Sequence, residues 1–573
     1  IRRQRQMCIR DRDNTIQADI SMPNVMDENT EYLLVFTITS GQDNVYYYSR
    51  IMQTDGKAAA KVVEFAKKFH DETFIKDDKS FFTTYMETTT GDRNTLAYVD
   101  LTSTVSQITW GSMAAAQYTN PVIALKEIND SYDVVTIDYV MSCVDGKGET
   151  EYYNVREYFR LRQTESRMYV LNYERTANQI FNSENSFISD SGSVMLGIRS
   201  SEAEYRANEA GSVICFVQEG DLYSYDINNG MIIKVFSFRD AEGIDERENW
   251  NHHDIKIVSV DEAGSIDFVV YGYMNRGTHE GEVGAGVYHY DGLAHTIDEE
   301  AFIPSKTSYE VLKAEMGKML YLNEKNEFYL MMDDSLYRIN LGSMSVKKVV
   351  EGLSTGSYCA SESNRYFAWV DSANQYSSNT IKVMDLKSGK TFEVKKGDDQ
   401  YLRPLGFIGE DFIYGQANVA DVVSDAAGNT TFPMNGLIIL DTSDQSELKT
   451  YTPSGGYVEK ISVDGYTVTI DLIAQNNGVY AEIGQDTIMN READSKQKIA
   501  LDTSQSDTKL TVSAISIAGG KKPDKLKQLT AQMTINSHDT AVDLKFDDNT
   551  VHFLSLIHIS EPTRRRGISY AVF

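Results

Sequence analysis

A short phrase recurs through the C-terminal two-thirds of the chain and narrows the folds open to it. An apolar residue is followed by two variable residues, a second apolar residue and then Asp or Asn. It reads Leu222-Tyr223-Ser224-Tyr225-Asp226, Val287-Tyr288-His289-Tyr290-Asp291, Leu336-Tyr337-Arg338-Ile339-Asn340, Ile381-Lys382-Val383-Met384-Asp385 and Leu437-Ile438-Ile439-Leu440-Asp441. Met168–Asn172 reads as an earlier copy and Ile499–Asp502 as a later one. The anchors at 172, 226, 291, 340, 385, 441 and 502 step by 54, 65, 49, 45, 56 and 61 residues. The strand delivers apolar residues to an interface, and the Asp or Asn bonds nearby backbone N–H groups to make a turn. A β-prone run precedes each copy (Val213–Val217, Phe268–Tyr273, Phe328–Met332, Tyr366–Val370, Phe412–Tyr414). Another run follows, as Ile232–Phe238 and Lys390–Val394 show. Strand, turn, strand, turn, strand is an antiparallel meander, and the period suits propeller blades. The expected fold is mainly β, a six- or seven-bladed β-propeller over residues 165–553.

Residues 13–160 read as a smaller N-terminal α/β domain. Strands are expected at Glu31–Ile38, Asn44–Met52, Thr95–Leu101 and Val134–Cys143. The one amphipathic helix, Lys57–His70, carries Ala60, Val63, Phe65 and Ala66 at helical spacing. Tyr, at 35 residues, favours half-buried strands, and the scarcity of Pro, at 8, leaves them unbroken.

The phrase L-Y-x-Y-D-x-x-x-G followed by an outer strand resembles the blades of TolB-like and related periplasmic propellers. The resemblance covers roughly two-thirds of the chain. It implies an extracytoplasmic scaffold that binds proteins or ligands through loops, and it transfers no site residue. The tryptophan-aspartate repeat signature is absent, with three Trp in the whole chain.

Both ends read as foreign. Met7-Cys8-Ile9-Arg10-Asp11-Arg12 back-translates into the transposase mosaic end of tagmentation libraries. Leu554–Arg564 back-translates into its reverse complement, and Ile568–Phe573 into further adapter. Residues 1–12 and 554–573 are therefore expected to be adapter-derived, and 13–553 a piece open at both ends. A membrane anchor or signal peptide, on this reading, belongs to sequence upstream. The two ends carry eight Arg against one Asp and one Glu. Without them a chain of net charge −29 becomes one of −35.

That charge excludes a nucleic-acid partner, which needs a basic surface, and suits a soluble acidic surface. Cys143, Cys215 and Cys359 are far apart and show no metal-ligand spacing; the first two sit in apolar runs as inert thiols. His252, His253, His279, His289 and His295 cluster in sequence without an H-E-x-x-H pattern, and His289 reads as an outward strand residue. Asp240–Glu248 and Asp425–Asn429 lack the EF-hand pattern. The string G-x-S-x-G occurs once, as Gly352-Leu353-Ser354-Thr355-Gly356, but between β-prone runs and not at a strand-to-helix elbow; no phosphate-binding loop occurs, and Gly519-Gly520-Lys521 lacks the flanking residues. No catalytic, metal or cofactor-binding residue is assigned.

Two long connections remain. One runs through Asn275, Arg276, His279 and Glu280, the other through Asn418, Asp421 and Asp425. Both join equivalent strands, so both should emerge on one face, where binding concentrates on a rigid scaffold. The expectation is a non-enzymatic extracytoplasmic propeller, membrane-anchored or secreted, binding a protein or cell-envelope ligand through that face. Two alternatives stay open: a glycan hydrolase or lyase using central-channel carboxylates, and an active N-terminal domain with the propeller as scaffold.

Overall fold

The structure is a computed structural model. It describes residues 8–12, 15–19, 26–28 and 30–544, apart from 41–42, 54–56, 77–79, 88–93, 130, 240–249, 251, 306, 308, 317, 371–373, 425–428, 477–478, 490–498 and 535–539. The adapter-like residues 554–573, Asp425 and the acidic stretch Asp240–Glu248 lie outside the described residues. Of the adapter-like N-terminus, Cys8–Arg12 is described, as a strand antiparallel to Thr15–Asp19. The chain divides into two compact units. The first holds the described residues up to Asn178 together with Gln505–Thr511; the second holds Gln179–Ser504 and the residues from Val512 onward.

In the first unit, Glu31–Ser40 pairs antiparallel with Asp43–Met52. A six-stranded sheet runs in the order Tyr98–Asp100, Met168–Ile180, Thr150–Gln163, Asp133–Val144 and Ala116–Gln117, with Val122–Ile128 also on Asp133–Val144. The helix spans Lys57–Thr73. It buries Val62, Ala66, Phe69, His70 and Thr73. The buried stripe thus starts at Val62 and keeps the 3.6-residue period, while Ala60 faces solvent. Phe69 anchors it, with ring centroids 5.4 Å from Phe159 and 4.7 Å from Tyr173 of the sheet.

The second unit is mainly β, a succession of small sheets. Sheet I joins Val194–Gly197 to Leu510–Ile517 and Ile499–Ser506. Sheet II is Tyr205–Ala207, Val213–Gln218, Asp221–Asp226 and Met231–Phe236; sheet III is His253–Val260, Ile266–Tyr273, Val283–Asp291 and Thr296–Pro304. Sheet IV is Leu320–Leu322, Glu327–Met332, Ser335–Asn340 and Ser345–Val350; sheet V is Tyr358–Ala360, Tyr366–Val370, Thr380–Asp385 and Lys390–Lys395. Sheet VI is Gln400–Ile408, Asp411–Asn418, Gly436–Leu440 and Glu447–Tyr451, and sheet VII is Tyr457–Asp464, Thr467–Asn476 and Val479–Met489. Sheets II to VI are four-stranded antiparallel meanders in chain order, the organisation of propeller blades.

The expected strand, repeat strand and following strand are the second, third and fourth of each meander. Asp226, Asp291, Asn340 and Asp385 all end a third strand, and Asp441 follows one directly. Two outlying copies differ. Met168–Asn172 belongs to the long strand Met168–Ile180 of the first unit, not to a meander. Asp502 stands inside Ile499–Ser506 and caps no turn.

Apolar side chains from neighbouring sheets fill the space between them. Phe236 and Val235 of sheet II meet Phe268, Tyr288 and Ile297 of sheet III in one buried cluster. Tyr366, Val383 and Ile381 of sheet V meet Phe412, Tyr414 and Ile438 of sheet VI in another. Beyond the meanders, Lys527–Thr530 adds a parallel strand to Met231–Lys234 of sheet II, and Gln532–Met533 adds one to Thr296–Ile297 of sheet III. None of the helices is long and apolar enough to cross a membrane, among the described residues.

Candidate ligand-binding face

Each meander has two kinds of end. At one end lie the first-to-second and third-to-fourth turns, all short. Asp226 Oδ1 accepts from Asn229 N at 3.0 Å, Asp291 Oδ1 from Leu293 N and Ala294 N at 2.8 Å each, and Asn340 Oδ1 from Ser343 N at 2.9 Å. Asp385 Oδ1 accepts from Lys387 N at 3.1 Å and Asp441 Oδ1 from Ser443 N at 2.7 Å.

The first-to-second turns carry a second repeat that the reading above missed. Asn208, Asp261, Asn323 and Ser361 each cap a turn whose fourth residue has positive φ: Gly211 (69°), Gly264 (83°), Asn326 (56°) and Asn364 (59°). Their side chains accept from Val213 N at 3.0 Å, Ser265 N at 2.7 Å, Glu327 N at 3.0 Å and Tyr366 N at 3.0 Å. The pattern [NDS]-x-x-[GN], five residues or fewer ahead of each second strand, was the available signal. These turns also bond between sheets. Glu262 Oε2 accepts from Asn208 Nδ2 at 3.1 Å, and Asn323 Nδ2 donates to Leu386 O at 3.0 Å.

The other end carries the second-to-third connections, and these are unequal. Sheets II and IV use two-residue turns, Glu219-Gly220 (φ 48° and 79°) and Asp333-Asp334 (φ 48° and 51°), the left-handed pairs of type I′ hairpins. A Cβ on Gly220 would stand 2.5 Å from His253 Nε2, which lies 3.0 Å from Gly220 O, so glycine is required there. Sheets III, V and VI instead carry longer connections.

The sheet III connection folds back on its own sheet. Met274 N donates to Glu282 O at 2.9 Å and Gly281 N to Met274 O at 2.9 Å. Asn275 is buried and donates to Trp250 O at 2.8 Å; Arg276 Nε donates to Phe238 O at 2.9 Å. His279 lies flat on Phe302, centroids 3.6 Å apart, with Nε2 2.9 Å from Glu299 Oε1. Those three residues hold the connection in place, and Glu280 is exposed on it. Beside it, Trp250 stacks on His252 at 4.1 Å, and Asp254 Oδ2 accepts from Tyr309 at 2.8 Å and Lys313 at 2.7 Å. Burial and the Asp254 carboxylate push the Tyr309 phenol well above its ordinary range.

On sheet VI the two predicted residues meet. Asn418 Oδ1 accepts from Gln400 Nε2 at 2.7 Å and Asn435 Nδ2 at 2.8 Å, while Asn418 Nδ2 donates to Asp421 Oδ2 at 2.7 Å. Gln400 Oε1 and Asn435 Oδ1 are buried without a partner. The sheet V connection lies alongside: Ser378 O accepts from Leu402 N at 2.7 Å, and Tyr376 packs 6.1 Å from Phe432. The Arg403 guanidinium stands 5.4 Å over the Tyr376 ring; its Nε and the Gln375 Oε1 are also buried without partners. Gln375, Gln400, Arg403 and Asn435 carry no charge-run or motif signature, so sequence reasoning did not reach them.

The five clustered histidines separate. His253 is buried against Gly220 O, His279 pairs with Glu299, and His289, half-exposed, lies 2.7 Å from Asp267 Oδ1. His295 Nδ1 lies 2.8 Å from Tyr290. Among the described residues no group of three or more His, Cys, Asp or Glu gathers to hold a metal. Cys143 and Cys215 are free and buried, and burial raises the Cys215 thiol to about 12.

Comparison with known proteins gives distant likenesses. No protein-family profile matches the chain, and no curated protein does. Dipeptidyl peptidase 4 of Porphyromonas gingivalis aligns at 12% identity over 56% of this chain and 59% of that one, with a TM-score of 0.24. Raptor of Chaetomium thermophilum aligns at 10% identity over 57% of this chain and 28% of that one, with a TM-score of 0.25. Hsv2 of Kluyvelomyces marxianus aligns at 12% identity over 51% and 99%, with a TM-score of 0.21. The chain spans less than two-thirds of the length of the first two. The strand order above, not these scores, carries the description of the architecture.

Proposed function

We propose that the second unit is a seven-bladed, TolB-like β-propeller and an extracytoplasmic binding scaffold. Sheets I to VII would be the blades, with sheet I closing the ring by joining one early strand to two late ones. Its ligand, a protein or a component of the cell envelope, is taken by the face that carries the second-to-third connections. The asymmetry of the two ends carries this reading. One end is built of short turns whose side chains are spent on capping and on neighbouring turns. The other bears the long connections of sheets III, V and VI, with aromatic and amide groups held at a rigid edge.

Hydrogen-exchange footprinting in the presence of a solubilised bacterial envelope fraction tests it. Protection is expected over residues 274–282, 374–379 and 418–436. Protection confined to the turns at Asp226, Asp291 and Asp385 would reverse the assignment of the binding face.

A further inference from the structure

Four of the buried polar atoms left without partners lie along one strand and its neighbours: Gln375 Oε1, Gln400 Oε1, Arg403 Nε and Asn435 Oδ1. A sealed polar atom without a partner costs on the order of 1–3 kcal/mol, so such groups are kept where something bonds them. Exchanging O and N on the Gln400 or Asn435 amide does not cure the deficit, because Asn418 Oδ1 would lose its two donors.

We propose that these groups form a subsite for a neutral polyhydroxylated ligand, a saccharide unit, with Gln400, Asn418 and Asn435 on one side and Arg403 on the other. The proposal rests on the binding-face reading above and narrows it to one chemistry. Three of the unspent atoms are acceptors and one is a donor. A cation satisfies only the acceptors and an anion only the donor, whereas a hydroxyl both gives and takes a hydrogen bond.

A hard cation is disfavoured on a second ground. Two carboxylates of these connections are already spent, Asp421 Oδ2 accepting from Asn418 Nδ2 and Asp398 Oδ1 from Asn379 Nδ2, and among the described residues no group of three or more His, Cys, Asp or Glu gathers to hold a metal.

The apolar component is present too. Tyr376, half-buried with Arg403 over its ring and the buried Phe432 behind it, offers ring surface to the C–H face of a sugar. Gln400 and Arg403 are three residues apart on one strand, which spaces their backbones by ~10 Å. Register with Asp411–Asn418 is unbroken from Gln400 to Arg403, so the two side chains leave opposite faces of the strand and a ligand would span them around its end. All four side chains are half-buried as residues. Turning the Gln400 or Asn435 amide towards a ligand exchanges its bond to Asn418 Oδ1 for bonds to the ligand's hydroxyls.

The test titrates the full chain with cellotriose, maltotriose, chitotriose and mannotriose, followed by calorimetry and ligand-observed NMR, with calcium chloride as a separate arm. At least one trisaccharide should saturate. Asn435→Ala and Gln400→Ala should each weaken it about tenfold, the loss expected for a hydrogen bond to a buried partner. Lys390→Ala, on the exposed outer strand of sheet V, should leave it unchanged. Asn435→Asp, with the wild-type shape, guards against loss of fold, and only variants that keep the wild-type unfolding midpoint are compared. No saturation by any trisaccharide at about 20 mM, sugar binding indifferent to both alanine variants, or calcium binding that depends on these amides would overturn the proposal. If the envelope footprint persists while the sugars fail, the saccharide assignment falls alone; if both fail, the face falls with it.

Discussion

Arg239 Nη1 lies 2.9 Å from Asp221 Oδ1, and both side chains are almost wholly enclosed. The pair sits under the Glu219-Gly220 turn: Arg239 Nη1 also donates to Glu219 O at 2.8 Å, and Ser237 Oγ donates to Asp221 Oδ1 at 2.7 Å. Burial works against the charge on Arg239, but the Asp221 carboxylate outweighs it and holds the guanidinium above its ordinary pKa. Removing one partner leaves a buried charge uncompensated, which costs about 3–5 kcal/mol. Asp221→Ala should therefore lower stability by about that much in urea unfolding, and Asp221→Ala/Arg239→Met should recover part of the loss. A double variant no better than the single one would mean that the pair is not coupled.

The capped turns predict an acid limb. Backbone N–H groups of Ala294 and Leu293 hold Asp291 below the usual carboxylate range, and Ser443 does the same for Asp441. For Asp385, burial pushes the other way, but Arg365 at 3.1 Å wins and the pKa is lowered. A depressed folded-state pKa gives stability that is present above the unfolded value, near 4, and lost as pH falls through the folded one. Stability should fall below about pH 4, and less steeply in Asp291→Asn, which keeps an acceptor and removes the titration. Asn340 caps the equivalent turn without titrating. Asn340→Ala should cost about 1 kcal/mol at every pH tested.

The repeat was legible because its anchors act locally. Asp226 or Asp385 needs only the N–H groups two or three residues on, so spacing along the chain reports the turn. The first strands were not. Tyr205–Ala207, Leu320–Leu322 and Tyr358–Ala360 have three residues each, too few for a period-two pattern to emerge. The late strands Lys527–Thr530 and Gln532–Met533 are exposed and polar, and only the open edges of sheets II and III make them strands. At the candidate site, Asn418 and Asp421 could be read as loop polar residues. Gln400 and Asn435 meet at Asn418 only through pairing across sheet VI, and Arg403 meets Tyr376 only through the neighbouring sheet V connection.

In the first unit, His70 Nδ1 is 3.1 Å from Glu157 Oε2 with neither side chain exposed. Its Nε2 lies 3.0 Å from Gln117 Oε1, and Tyr139 donates to Glu157 Oε1 at 3.1 Å. Burial opposes protonation of His70, but the Glu157 carboxylate prevails and the pKa is raised. A raised folded-state pKa gives stability that is full below the unfolded value, near 6.5, and lost as pH rises through the folded one. The imidazole resonances should therefore titrate above 6.5 in NMR, and the first unit should be more stable at pH 6 than at pH 9. In His70→Gln that alkaline loss should vanish. A His70 that titrates below 6.5 would show that desolvation dominates.

The chain's last described segment is tied to sheet III by more than its short strand. Val542 N donates to Phe302 O at 2.7 Å, and Phe302 N donates to Thr540 O at 2.8 Å. Val542 and Leu544 are then buried with Leu312, Met316, Phe328 and Tyr337, between the third and fourth sheets. The segment thus adds two side chains to the interface between sheets III and IV. A buried Leu→Ala change costs about 2–5 kcal/mol, the spread set by how far the site collapses. Leu544→Ala should fall in that range and speed exchange of the amides of Ile303 and Leu330 together, because one cluster holds both. An exposed neighbour such as Met533→Ala, on the strand beside sheet III, should change stability by less than about 0.5 kcal/mol. Equal effects from the two would mean that the segment is held by its strand pairing and not by the side chains it inserts.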